Sequence, residues 1–143
     1  MRRDLIVSQS IDINASPSSV WNALTNPASI KEYLYGTDTV TDWQVGSEII
    51  FQGDYQGQTY QDKGIILENV PNDLLSYSYW SGFSATEDKP ENYSTITYTL
   101  RKQDEDHTTL TWTQEGFATE EGYNHSKSGM GPLLEQIKEI AER

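Results

Sequence analysis

The sequence contains no cysteine, few basic residues and no long apolar run. Without cysteine, disulfides, thiolate nucleophiles and thiolate metal sites are excluded. The 10 Lys and Arg residues against 22 Asp and Glu residues give a net charge of −12, which argues against nucleic acid and anionic membranes as partners. No stretch approaches the roughly 20 apolar residues that a membrane-spanning helix needs. Because no apolar run typical of a signal peptide follows Arg2 and Arg3, we expect a cytoplasmic protein.

The aromatic content indicates that the chain folds. Hydrophobic residues make up only 35% of the sequence, which together with the high charge would favour disorder. The chain nevertheless has four Trp, nine Tyr and three Phe residues, and disordered chains are poor in aromatic side chains. A length of 143 residues suits one ordinary domain, so we expect a single domain over residues 1–143.

The N-terminal part of the chain predicts one strand followed by two short helices. Apolar residues alternate along residues 5–13, except at Gln9, as in a half-buried strand. The Ser-Pro pair at 16–17 and the Asn-Pro pair at 26–27 each combine an N-cap residue with a proline suited to the first helical turn. We therefore expect two helices in succession, the second ending near Gly36.

The middle of the chain predicts a series of antiparallel strands separated by turn residues. The strands that we expect are 48–55, 58–69, 74–80, 94–101 and 108–114. In the last two, threonine alternates with large apolar residues, which predicts one solvated face and one inward face. Residues 84–92 are polar and predict a mobile surface loop. With the first strand, the sheet would have about six or seven strands.

The C-terminal residues 119–142 predict a long helix. Apolar residues recur there at spacings of three and four, with a kink or restart expected at Pro132. Only this helix is long enough to cover the apolar face of the sheet. We therefore predict an α+β fold in which a curved antiparallel sheet wraps the C-terminal helix and leaves a cavity at its open end.

Several segments match a known family in both sequence and order. They are Ala15–Thr25 with Pro27, Asp42–Ser47, Asp62–Glu68, Leu74–Trp80, the threonine-rich strand pair and Gly129–Met130. On these segments, which span nearly the whole chain, the sequence resembles the START-like (Bet v 1-like, SRPBCC) superfamily with its helix-grip fold. Within it, the chain is similar to the branch of the C-terminal domain of the heat-shock protein 90 ATPase activator. That branch usually has Trp where this sequence has Met130.

Aromatic residues at inward strand positions are the most informative candidates for a binding site. A buried aromatic hydroxyl must find a polar partner, either in the protein or in a ligand. The residues that we expect to line a ligand cavity are Tyr33, Tyr77, Tyr79, Ile96, Tyr98, Trp112, Met130 and Leu134. Core packing of these tyrosines without any ligand is the alternative interpretation.

Nothing in the sequence indicates a catalytic or metal site. The two histidines, His107 and His125, are far apart, and no serine lies in a G-x-S-x-G motif. Carboxylates adjacent on a helix, such as Glu120 and Glu121, point apart and do not form an acid–base pair. We expect no metal, no cofactor and no catalytic residue.

Two hypotheses about function remain open. The first is a non-catalytic module that binds a small hydrophobic or amphipathic molecule. A chaperone or client protein is the macromolecular partner considered for it, in a stress response. The alternative is an enzyme of the cyclase or dehydratase type, in which a Tyr or Glu in the same cavity moves a proton. A buried ionisable pair in the cavity would favour the enzyme. The sequence alone locates no such pair.

Overall fold

A computed structural model gives the structure of residues 1–82 and 86–143, apart from the side chain of Tyr55. One strand and two short helices come first, six further strands follow, and a long helix ends the described chain. The elements are β1 (Arg2–Ile13), α1 (Pro17–Thr25), α2 (Pro27–Tyr33), β2 (Asp38–Val40), β3 (Glu48–Tyr55), β4 (Gln58–Val70), β5 (Leu74–Tyr79), β6 (Ser94–Asp104), β7 (His107–Phe117) and α3 (Glu120–Ala141).

The seven strands form one curved antiparallel sheet in the order β1-β7-β6-β5-β4-β3-β2. From β2 to β7 each strand lies beside the next one along the chain, and neighbouring strands run antiparallel. Strand β1 pairs with β7, so that Ile13 lies opposite Thr108 and Val7 opposite Gln114. This arrangement confirms the predicted α+β helix-grip fold.

The two short helices begin where the sequence predicts. The Ser16 hydroxyl accepts a hydrogen bond of 3.3 Å from the Ser19 amide, and the Asn26 side chain accepts one of 2.9 Å from the Ala28 amide. These bonds satisfy amide groups that the first turn of a helix leaves without an intrahelical partner. Together α1 and α2 bury apolar side chains, including the fully buried Val20, against the core.

Helix α3 covers the inner face of the sheet with one apolar stripe. Its buried residues are Met130, Leu134, Ile137 and Ala141. The helix is continuous from Glu120 to Ala141, so the restart considered at Pro132 does not occur. Proline cannot donate to the carbonyl one turn earlier, but the buried residues on either side of it keep both halves of the helix against the sheet. The side-chain amide of Gln9 also donates a hydrogen bond of 2.8 Å to the Lys127 carbonyl, which links α3 to β1.

Strand β2 was not predicted, and the predicted loop at 84–92 is only partly described by the structure. Strand β2 has only three residues, too few for an alternating pattern to predict it. Of the predicted loop at 84–92, residues 84 and 85 lie outside the described residues, and Pro90–Asn92 forms a single 3₁₀ turn. No helix within residues 1–82 or 86–143 is long and apolar enough to cross a membrane.

Candidate functional site

A cavity of about 310 Å³ lies between the sheet and α3. We name it the inner cavity. Most of its wall is aromatic or aliphatic, and its polar groups are mainly phenols, one amide and one carboxylate. The lining residues are Leu34, Tyr35, Thr37, Phe51, Asp62, Tyr77, Tyr79, Ile96, Tyr98, Trp112, Gln114, Met130 and Leu133.

Strand register brings the central side chains of the inner cavity together. Tyr98 on β6 lies opposite Trp112 on β7, and Tyr77 on β5 lies opposite Ile96 on β6. Residues at alternate positions of a strand share one face, so these four side chains form a continuous wall. Phe51 on β3 extends it, with its ring centroid 5.6 Å from that of Tyr77.

Six of the eight residues expected at the cavity line it, and two do not. Tyr33 is buried between the two short helices instead, where its hydroxyl donates a hydrogen bond of 3.0 Å to the Leu24 carbonyl and joins α2 to α1. Leu134 is also buried, whereas its neighbour Leu133 lines the cavity. Successive residues of a helix point in different directions, and the sequence pattern did not distinguish these two leucines.

The carboxylate of Asp62 is a lining group that the sequence interpretation missed. Its side chain is only 8% exposed. Oδ2 accepts a hydrogen bond of 2.5 Å from the Tyr79 hydroxyl, and Oδ1 accepts one of 3.3 Å from the Gly82 amide. A signal was present in the sequence, since Asp62 has the same parity along β4 as the buried Ile66. The neighbouring apolar residues of β4 on the outer face, Ile65 and Leu67, obscured it.

Tyr77, Tyr79 and Tyr98 of the inner cavity are held in their neutral form. Burial raises the pKa of Tyr77, Tyr79 and Tyr98 well above that of a free phenol. The carboxylate of Asp62 raises the pKa of Tyr79 further, and the nearby Tyr98 raises that of Tyr77. At neutral pH these three side chains are therefore neutral phenols, of which Tyr79 donates to Asp62 and Tyr77 is hydrogen-bonded to Tyr98.

A second space, of about 560 Å³, lies where β7 ends and α3 begins. We name it the outer cleft. Its wall is richer in hydroxyl and amide groups than that of the inner cavity. The lining residues are Met1, Tyr79, Trp80, Ser81, Thr86, Asn92, Ser94, Gln114, Gly116, Phe117, Ala118, Thr119, Gly122, His125 and Ser126.

Both histidines lie at the surface. His107 is exposed, and its Nδ1 lies 2.7 Å from a carboxylate oxygen of Asp104 in the β6–β7 hairpin. His125 is exposed on α3 at the wall of the outer cleft. Within the described parts of the chain, no three His, Asp or Glu side chains converge as a metal site would require.

Comparison with known proteins places the chain in a family. Residues 14–142 match the family described as Activator of Hsp90 ATPase homolog 1-like protein. A Cytophaga hutchinsonii protein solved in solution is 38% identical, with 99% of this chain and 97% of that chain covered and a TM-score of 0.83. The Aha1 dimer from Colwellia psychrerythraea is 19% identical, with 96% of each chain covered and a TM-score of 0.72. An HSP90 activator from Plasmodium falciparum is 18% identical, with 95% of each chain covered and a TM-score of 0.75.

A search of curated proteins found no match. The family match nevertheless covers most of the chain, and the similarity to the Cytophaga protein extends over nearly all of it. Both agree with the seven-stranded sheet and the long C-terminal helix. This chain belongs to the family of Activator of Hsp90 ATPase homolog 1-like proteins.

Proposed function

We propose that the protein is a non-catalytic binding module that holds a small hydrophobic or amphipathic molecule in the inner cavity. The observation that carries the proposal is the composition of the wall, in which aromatic bodies such as Trp112 surround the space and phenol groups reach into it. Such a wall suits a ligand with an apolar body and a few oxygen atoms. A volume of about 310 Å³ limits the ligand part held there to a modest size.

The hydrogen bonding of the cavity favours binding over catalysis. Both oxygens of Asp62 already accept hydrogen bonds from Tyr79 and Gly82, so the carboxylate is engaged within the protein. The raised pKa values of Tyr77, Tyr79 and Tyr98 keep their protons in place at neutral pH. A carboxylate that already accepts two hydrogen bonds is a weaker general base than a free one, so these bonds favour binding over proton transfer.

A thermal-shift titration with a neutral aromatic alcohol, 2-naphthol, tests the proposal. Binding to the folded state alone stabilises it by about 2.7 kcal/mol at a hundredfold excess over the Kd. Tyr77→Phe and Tyr98→Phe keep the rings and remove the hydroxyls. At least one of them should weaken binding by about 1 kcal/mol.

Tyr93→Phe is the matched control, because Tyr93 lines neither the inner cavity nor the outer cleft. It should leave the affinity for 2-naphthol unchanged. A wild-type protein that shows no stabilisation with 2-naphthol or with related aromatic ketones would contradict the proposed function.

One observation favours the cyclase or dehydratase alternative as a second candidate. Asp62 and Tyr79 form a buried ionisable pair in the cavity wall, and such pairs occur at catalytic sites. In that function the Asp62 carboxylate would accept a proton from carbon of a polyketide-like substrate. Asp62→Asn should then abolish turnover while binding persists. If no polyketide-like compound is converted by the wild type, this candidate fails.

A chaperone or client protein is the macromolecular partner that we propose, in a cytoplasmic setting and in a stress response. The family description supports it, since it refers to activation of the Hsp90 ATPase. The measurement is the ATPase rate of heat-shock protein 90 with and without the purified chain. An unchanged rate, together with no detectable complex, would remove the chaperone from the proposal.

A further inference from the structure

The inner cavity and the outer cleft adjoin each other. Among the described residues, only Tyr79 and Gln114 line both spaces. Tyr79 is tied through its hydroxyl to Asp62 on the side of the inner cavity. Its main-chain carbonyl accepts a hydrogen bond of 3.3 Å from Ser94, which lines the outer cleft. The boundary between the two spaces therefore consists of one phenol and one amide side chain.

Gln114 is a polar residue on the inward row of β7. It follows Leu110 and Trp112 at alternate positions of β7, and both of those side chains are fully buried. The Ser126 hydroxyl donates a hydrogen bond of 3.1 Å to Oε1 of Gln114. Nε2 of Gln114 in turn donates a hydrogen bond of 3.2 Å to the Ser94 hydroxyl. These bonds hold the amide between α3 and β6. A ligand with its own hydroxyl groups can replace such neutral bonds at little net cost.

The two spaces differ in chemistry. Six aromatic side chains line the inner cavity, whereas the outer cleft has hydroxyl and amide side chains such as Asn92, Thr119 and Ser126 in a wall that is still largely apolar. Among the described lining residues there is no lysine or arginine, although the Arg3 guanidinium lies beside Gly116 in the wall of the outer cleft. Asp62 lies at the boundary, so a polar group that passes it is better matched if it is neutral than if it is an anion.

We infer that the two spaces bind one ligand in two parts, with a flat apolar body in the inner cavity and a neutral, hydroxyl-rich head in the outer cleft. The link between the two parts of the ligand lies against Tyr79 and Gln114. Gln114 favours ligands with such a polar link over ligands without one. This inference rests on the proposed function and specifies its ligand class. The sizes agree, since about 310 Å³ alone is at the lower limit of ligand sites and the outer cleft adds about 560 Å³.

Two tryptophans report separately on the two spaces. Trp112 lines the inner cavity, and Trp80 lines the outer cleft, where its indole N–H donates 3.2 Å to Thr86. Trp21 and Trp43 line neither space and serve as internal controls. The probes are 2-naphthol, which has only the apolar body, and 2-naphthyl β-D-glucoside, which adds a neutral sugar head.

The experiment follows the four indole N–H signals by NMR during titration of the wild-type protein. We expect 2-naphthol to shift the Trp112 signal alone and the glucoside to shift the signals of both Trp112 and Trp80. If 2-naphthol binds and the glucoside does not, or if the glucoside leaves Trp80 unshifted, the two-part inference is overturned while the proposed function stands. If neither probe binds, the proposed function fails and this inference fails with it.

A variant at the boundary tests the role of Gln114. Gln114→Leu should weaken glucoside binding about tenfold, because leucine cannot hydrogen-bond to the link, and should weaken 2-naphthol binding clearly less, since Gln114 is only one of many residues around the apolar body. Gln103→Leu, on the exposed hairpin end of β6, is the control and should change neither. Equal weakening of both probes by Gln114→Leu would overturn the selective role. If that variant fails to fold, the wild-type Trp80 shift still decides whether the ligand spans both spaces.

Discussion

The hydroxyl of Tyr79 lies 2.5 Å from Oδ2 of Asp62, across two neighbouring strands at the wall of the inner cavity. Asp62 is almost fully buried, and an unpaired carboxylate in such a place would be strongly destabilising. The phenol and the Gly82 amide compensate by donating one hydrogen bond to each oxygen. These two hydrogen bonds hold the Asp62 side chain beside the aromatic rings.

Removal of the Tyr79 hydroxyl should therefore destabilise the fold. We expect Tyr79→Phe to lower the free energy of unfolding by about 2–3 kcal/mol, because a buried charged group loses one of its donors. Tyr93→Phe is the matched control, since the Tyr93 hydroxyl bonds to Asp88, which is exposed. That change should cost less than about 1 kcal/mol, because water can replace the phenol at Asp88. Urea denaturation measures both, and equal losses would contradict the role given to Tyr79.

The position of Trp112 leads to a second prediction. Its side chain is 1% exposed between the sheet and α3, so Trp112→Ala should destabilise the fold by about 3–5 kcal/mol. Thr111→Ala is the control on the outer face, where the Thr111 hydroxyl shares a bond of 2.7 Å with Ser10, and it should cost less than about 1 kcal/mol. A loss below about 1 kcal/mol for Trp112→Ala would mean that Trp112 does not face the core.

The sequence predicted the elements well because their patterns are local. The alternation of β6 and β7 and the two N-cap–proline pairs all lie where the structure has them. The cavity needed non-local information. The place of Gln114 at the boundary depends on Ser126 in α3 and Ser94 in β6, and the buried state of Asp62 depends on Tyr79 in the next strand. Parity along β4 places Asp62 on the inner face, but no pattern within one strand shows that Tyr79 donates to it or that Ser126 and Ser94 hold Gln114.

Two glycines should respond to alanine in opposite ways. At Gly64 on β4, an added Cβ would lie 1.6 Å from the Ser78 carbonyl oxygen on β5, which is a backbone atom that cannot turn aside. Gly64→Ala should therefore destabilise the fold by about 3 kcal/mol or more, as overpacking that moves backbone does.

Gly129 on α3 is the control for the same substitution. Nothing lies within 4 Å of its added Cβ, so Gly129→Ala should raise stability by up to about 1 kcal/mol through helix propensity. Thermal unfolding of both variants checks the pair. A destabilised Gly129→Ala, or a Gly64→Ala as stable as the wild type, would contradict the packing at that position.

The dependence of the sheet on α3 can be tested by truncation. A chain that ends before Tyr123 lacks Met130, Leu134 and Ile137, all of which are buried in the core. We expect an aggregated or molten product, because the inner face of the sheet would be exposed to water. Near-UV circular dichroism and size-exclusion chromatography measure the outcome. A truncated monomer with native near-UV signal would contradict the helix-grip arrangement.

Three buried tyrosines and the half-buried Tyr79 should make the protein sensitive to alkali. Burial raises the pKa of Tyr33, Tyr77, Tyr79 and Tyr98 above that of a free phenol, so the folded state holds these protons more tightly than the unfolded state. Their contribution to stability is therefore complete below about pH 10, the pKa of an unfolded tyrosine, and is lost as the pH rises towards the folded pKa values.

The free energy of unfolding should fall steeply above about pH 10, by up to about 1.4 kcal/mol per pH unit for each such tyrosine. Urea denaturation at a series of pH values measures this slope. Tyr33→Phe removes one buried phenol and should reduce the slope of the free energy of unfolding against pH by the contribution of one tyrosine, up to about 1.4 kcal/mol per pH unit. Tyr35→Phe is the control, because the Tyr35 residue is 73% exposed. If stability stays level well above pH 10, or if the slope is the same in the Tyr33→Phe variant, the four phenols do not resist ionisation as their burial requires.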